Sequence, residues 1–146
     1  VRLLIESGAD IKVKNNYGMT ILHIVAGSWP GKSMVQLLLE KGADIEARTG
    51  DGLSPLHCAA SGDNDTAAMV LLENGADIDA RDDQGSTALE RAILAQSKAA
   101  IRQLFEKGSN FKAKPAYEWS LLSKAANTRN VVIMQLLVGK GADIER

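Results

Sequence analysis

The 146-residue chain has one cysteine, three prolines, two histidines and only two each of phenylalanine, tyrosine and tryptophan. A lone Cys58 excludes an internal disulfide and any cysteine-based zinc site, and it points to a reducing compartment. So few rings beside 45% apolar content mean a core of small and aliphatic side chains, which suits stacked short helices. Charge of one sign is also missing. The 17 basic and 18 acidic residues leave a net −1, too little to draw in nucleic acid or an anionic membrane. No apolar run approaches the ~20 residues that span a bilayer, and no signal-peptide pattern opens the chain. Val1 already stands inside a periodic pattern, so the chain reads as a piece of something longer.

What is present is a period. Gly-Ala-Asp-Ile stands at residues 8–11, 42–45, 75–78 and 141–144, and a decayed copy, Gly108-Ser109-Asn110-Phe111, fills the gap. The glycine steps are 34, 33, 33 and 33 residues. Self-similarity at this length means one supersecondary unit stacked on copies of itself, a solenoid with no single closed core. The chain is then one repeat domain: a partial unit at 1–13, followed by units 14–47, 48–80, 81–113 and 114–146.

Each unit opens on a polar stretch with a turn glycine, Gly18, Gly52 or Gly85, and Glu118 takes that place in the fourth. Two residues later comes a hydroxyl, Thr20, Ser54, Thr87 or Ser120, able to cap a helix for ~1 kcal/mol. Pro55 follows Ser54 where a missing amide hydrogen costs nothing. After a polar break, Leu37 and Leu38, Val70 and Leu71, Ile101 and Leu104, and Ile133 and Leu136 mark a second helix with a 3.6-residue period. The closing glycine sits where a helix ends in a left-handed residue. A projecting turn or hairpin suits the polar stretch that follows.

Ser54-Pro55-Leu56-His57-Cys58-Ala59-Ala60 followed by Leu71-Leu72-Glu73-Asn74-Gly75-Ala76-Asp77 closely resembles the ankyrin repeat. Thr20-Ile21-Leu22-His23 and Leu37-Leu38-Leu39-Glu40-Lys41-Gly42-Ala43-Asp44 match it in the first unit. The resemblance implies an all-α solenoid of stacked helix-turn-helix repeats with β-turn or hairpin tips, non-catalytic and protein-binding. It also implies that His23 and His57, one repeat apart, hydrogen-bond backbone between neighbouring loops. Departures are concentrated late in the chain. The third unit reads Thr87-Ala88-Leu89-Glu90, without the proline and histidine, and the fourth reads Ser120-Leu121-Leu122-Ser123. An extra residue lies near Trp29-Pro30. Stability should be uneven, with the second unit nearest the family pattern and the fourth furthest from it.

No convergent chemistry is expected. Cys58, beside Ala59, reads as a buried and inert thiol, since spacing suggests no nearby base. The glycines do not form a phosphate loop. Glu6, Glu40, Glu73 and Glu106 each precede a closing glycine by two and read as solvent-side positions. Lys14, Arg48, Arg81 and Lys114 open the units as a ladder. A solvated edge balanced by Glu46, Asp79 and Asp82 is the expectation there, against a strip for an acidic partner or nucleic acid, because overall charge is near zero and aromatic residues are not interleaved. Catalytic residues, metals and cofactors are all expected to be absent.

By the resemblance, tips and first helices form a concave face, so Asn16, Tyr17, Met19, Asp51, Leu53, Asp83, Gln84, Ser86, Tyr117 and Trp119 point toward a ligand. Trp29, at the break between helices, joins them as an anchor candidate, although Trp29 and Trp119 could instead fill packing gaps. The expected function is a scaffold that binds a protein or peptide partner, monomeric in isolation, without nucleic acid or membrane insertion. The cytoplasm is the expected place, and the nucleus is compatible. A second reading is an intramolecular spacer or autoinhibitory arm of a larger protein, because neither end carries a polar capping unit.

Overall fold

Side chains spaced three and four apart bury one face of each short helix, and the units then share what no unit could bury alone. The computed structural model describes residues 2–28, 32–107 and 115–139, with side chains except at positions 2, 115–120, 132, 136 and 137. Its helices are α1 (Arg2–Glu6), α2 (Ile21–Ser28), α3 (Lys32–Glu40), α4 (Pro55–Ser61), α5 (Asp65–Glu73), α6 (Ala88–Leu94), α7 (Lys98–Glu106), α8 (Pro115–Asn127) and α9 (Val131–Gly139). Among the described residues there is no strand. Helices α2, α4, α6 and α8 pack in succession as one layer, and α3, α5 and α7 as the other. Each first helix also packs on the second helix of its own unit. This is a two-layer solenoid.

The core repeats with the sequence. Leu22, Leu56 and Leu89 of the first helices and Leu38, Leu71 and Leu104 of the second are fully buried. Each such side chain contributes roughly 1.5–3 kcal/mol on leaving water. Ala59, Ala92 and Ala125 share one register position and are also fully buried, so neighbouring first helices approach closely. That closeness leaves little room for rings, as the composition suggested.

Local signals end the helices. In α4, Ser54 Oγ accepts from the His57 amide at 3.4 Å, and His57 Nδ1 accepts from the Ser54 amide at 3.2 Å. This is a reciprocal capping box with histidine in the usual glutamate place, and Pro55 stands in the first turn. Thr87 Oγ1 caps α6 through the Glu90 amide. Gly42 and Gly75, at φ 88° and 91°, close α3 and α5 in the left-handed region, as expected.

The fourth unit departs from expectation. Helix α8 starts at Pro115 and runs through Glu118 and Ser120, so the expected turn is helical and Ser120 is no N-cap. The other tips need a polar acceptor first and a left-handed residue fourth. Asn15 Oδ1 accepts from the Tyr17 and Met19 amides at 2.9 and 3.0 Å, and Asp82 Oδ1 from the Gln84 and Ser86 amides at 2.9 Å each. Thr49 Oγ1 accepts from the Leu53 amide at 3.1 Å. Gly18, Gly52 and Gly85 all take φ 76°. Pro115 brings no acceptor and favours a helix's first turn, while a left-handed Glu118 would cost roughly 1–2 kcal/mol. Trp29, Lys114 and the closing blocks at 108–111 and 141–144 lie outside the described residues, as do the side chains of Tyr117 and Trp119.

Candidate interaction surface

Three tips, at residues 15–19, 49–53 and 82–86, share one design. The first residue's carbonyl accepts from the glycine amide at 2.9 to 3.0 Å, and its own amide donates to the fifth residue's carbonyl at 3.0 Å. Neighbouring tips join sideways. The Gly50 amide donates to Tyr17 O at 2.9 Å, and the Asp83 amide to Asp51 O at 3.1 Å. A Cβ on Gly18 would stand 2.6 Å from the Gly50 nitrogen, so glycine permits this approach as well as the backbone angle.

The ladder of cations keeps solvent exposure at Lys14 and Arg81, as expected, and also bonds to backbone. Lys14 Nζ donates to Arg48 O at 2.8 Å, and Arg48 Nη1 donates to Arg81 O at 3.0 Å and Gly52 O at 2.9 Å. Arg81 Nη1 donates to Gly85 O at 2.7 Å. Lys14 and Arg48 thus fasten their unit to the backbone of the next. Of the carboxylates expected to balance the ladder, Glu46 lies 3.9 Å from Arg48. Asp82 is buried and turns instead to Arg91, whose Nε donates to it at 2.6 Å. Burial alone would push the Asp82 carboxyl up, but the Ser86 amide and Arg91 outweigh it and hold it below the usual range.

The histidines act between units, as the resemblance implied. His23 Nδ1 accepts from the Thr20 amide at 3.1 Å, which leaves the proton on Nε2, and Nε2 donates to Ala47 O and Leu53 O at 3.0 Å each. His57 repeats the arrangement: Nδ1 accepts from Ser54, and Nε2 donates to Ser86 O at 2.8 Å. Burial lowers both imidazole pKa values, so the neutral tautomer persists. In the third unit Glu90 takes the histidine register. It is buried, pairs with Lys124 of the next unit and lies 3.9 Å from Arg81.

The nominated residues separate by exposure. Asn16, Asp51, Asp83 and Gln84 are exposed on the tips, Tyr17 is 76% exposed, and Met19 and Leu53 are half-buried. Ser86 was expected on the open tip surface and does not lie there. At 4% exposure it faces inward, because its amide binds Asp82 and its carbonyl binds His57. Tyr117 and Trp119 lie in α8, where a tip was expected. The first helices were expected on this face, but their residues carry no mark in the sequence. Ile24, Cys58, Arg91 and Lys124 recur there at steps of 34, 33 and 33, four residues after each hydroxyl. Ile24 is 41% exposed, and Leu94 on α6 is 44% exposed. Arg91 also donates to Gln84 Oε1 at 3.4 Å, so this helix face is continuous with the tips.

Cys58 is half-buried rather than buried, and burial pushes its thiol up to about 11, which keeps it protonated near neutrality. A cleft of about 370 Å³ is lined by Lys12, Lys14, Thr20, Asp44, Glu46 and Arg48 among others; its Thr20 hydroxyl is buried and lies 2.9 Å from His23 Nδ1. Among the described residues no three His, Cys, Asp or Glu side chains group to hold a metal. No described helix is long and apolar enough to cross a membrane.

Comparison with curated proteins gives no match. The family model for ankyrin repeats (3 copies) matches twice, over residues 31–115 and 64–146. The two matches together run from 31 to 146, well over half of a chain whose helices stack in the same period. The chain belongs to the ankyrin-repeat family.

Proposed function

We propose that the chain is a non-catalytic scaffold that binds a partner protein or peptide on the surface shared by its tips and first helices. Ankyrin repeats are generally protein–protein interaction modules. The observation that carries the finer reading is the lateral bonding of the tips, Gly50 to Tyr17 and Asp83 to Asp51. Exposed Asn16, Tyr17, Asp51, Asp83 and Gln84 therefore project from a frame already fixed in pitch, and half-buried Met19 and Leu53 lie between them. Little entropy is lost in ordering such a surface on binding. Monomeric binding in the cytoplasm or nucleus belongs to the same reading, supported by the free thiol.

The test starts from a partner captured by pull-down. Tyr17→Ala and Leu53→Ala should each weaken it about tenfold, the loss typical of a ring or aliphatic anchor at a hot spot. Unchanged affinity in variants with intact helical circular dichroism would reject the surface.

A further inference from the structure

We infer that Asn74-Gly75, at the end of α5, is a self-modifying site: it deamidates when the last turn of α5 opens and is held unreactive while that turn stays folded. Of the chain's seven asparagines, Asn74 alone is followed by glycine. The other closing blocks carry Ser7, Lys41, Lys107 and Lys140 at this register, so the reactive pair belongs to the second unit only. Asn74 is exposed, and a Cβ placed on Gly75 would meet no atom within 4 Å. Lacking that Cβ, Gly75 lets its nitrogen close on the neighbouring side chain unhindered, and water can reach the product.

Water is the only co-reactant. The Gly75 nitrogen attacks Asn74 Cγ; the N–Cγ bond forms, the Cγ–Nδ2 bond breaks, and ammonia leaves with the proton that Gly75 gives up. Water then adds to either carbonyl of the cyclic imide and opens it to aspartate or isoaspartate, with no change of oxidation state. The folded helix end opposes the first step at each atom. The Gly75 amide donates to Leu72 O at 3.2 Å, Asn74 Nδ2 to Val70 O at 2.8 Å, and the Ala76 amide to Leu71 O at 3.0 Å. Asn74 stands at φ −97° and ψ 13°, and closing the ring turns that ψ and draws Gly75 and Ala76 off their carbonyls. The chemistry therefore waits on local opening, which costs least at element ends. Conversion removes the Nδ2 donor from Val70 and sets a carboxylate beside Glu73 at the negative end of the helix dipole. Each event leaves the turn easier to open, and none reverses.

The test incubates the full chain at physiological temperature in buffer and in denaturing urea, while peptide mass spectrometry follows every asparagine. In urea Asn74 should convert first, to a mixture of aspartate and isoaspartate. In buffer its rate should be lower by about tenfold or more, set by the fraction of chains whose helix end is open. Leu72→Ala, at a half-buried position in the same turn, should raise the buffer rate with helical circular dichroism intact and leave the urea rate unchanged. Asn74→Asp should lower the urea midpoint below that of the unconverted chain. Another asparagine converting ahead of Asn74 in urea would overturn the site. Equal rates of the unsubstituted chain in buffer and urea would overturn the gate, whatever Leu72→Ala does to folding. An Asn74→Asp midpoint equal to the starting one would overturn the loosening.

Discussion

His23 and His57 can accept the capping amide on Nδ1 while donating between units from Nε2 only while each imidazole carries a single proton. A second proton would go to Nδ1, ending the hydrogen bond it accepts from the Thr20 or Ser54 amide and leaving only the hydroxyl of that residue, 2.9 or 2.8 Å away, to receive it. Because burial lowers the folded pKa below 6.5, the unfolded chain takes up protons first as pH falls. Stability from these groups is therefore present in full above about 6.5 and is lost as pH drops through the folded values. Asp82 adds a separate loss at lower pH, beginning below its ordinary 3.8, because its folded pKa is depressed. Urea melts across pH 7 to 5 should show falling stability, and His57→Gln should flatten that slope while costing roughly 1–3 kcal/mol at pH 7 for the Ser86 carbonyl it leaves less well bonded. A slope unchanged in the variant would place the acid sensitivity elsewhere. The histidine role was legible because the residue recurs at one register position of a familiar motif. The destinations of Lys14 and Arg48 were not, since a carbonyl one unit away is defined by the stacking pitch and leaves no mark on residue type.

Helices and tips depend on glycine in two different ways, which substitution separates. Gly85 is left-handed but has open space around it, so Gly85→Ala should cost roughly 1–2 kcal/mol from the backbone angle alone. Gly62 has an ordinary φ of −84°, yet a Cβ there would run onto the Gly27 carbonyl oxygen where the ends of α2 and α4 meet. Gly62→Ala should cost up to about 3 kcal/mol as α2 and α4 are forced apart, and the loss should appear as a lower urea midpoint. A neutral Gly62→Ala would mean that the two helix ends yield freely. Helix existence and type were readable from apolar spacing, and so was the cap at Ser54. The first boundary of α8 was not, because the 33-residue register carried a tip into the fourth unit. Pro115 and Glu118 already argued against a turn, but only hydrogen bonding in the other tips shows that the first position must accept and the fourth must be left-handed.

Stability in the whole molecule is shared between neighbours rather than held at a centre. Helices α4 and α5 pack against units on both sides, whereas α1 leaves Leu3 82% and Leu4 65% exposed. Native-state hydrogen exchange should find the slowest amides in α4 and α5, and those of α1 faster by about a hundredfold or more. Equal protection throughout would indicate one cooperative core and contradict nearest-neighbour coupling. The stacked architecture was legible from four copies of one tetrapeptide, but the proposed interaction surface was only partly so. Tip positions follow from the turn glycines, while Ile24 and Leu94 resemble any other helical aliphatic residue until burial distinguishes them. The thirteen residues of α8 against seven in α6 add about 9 Å of rod where a fourth finger was due. A guest laid along the three loops would meet that rod as a buttress, so its lengthwise position would be fixed from one side only.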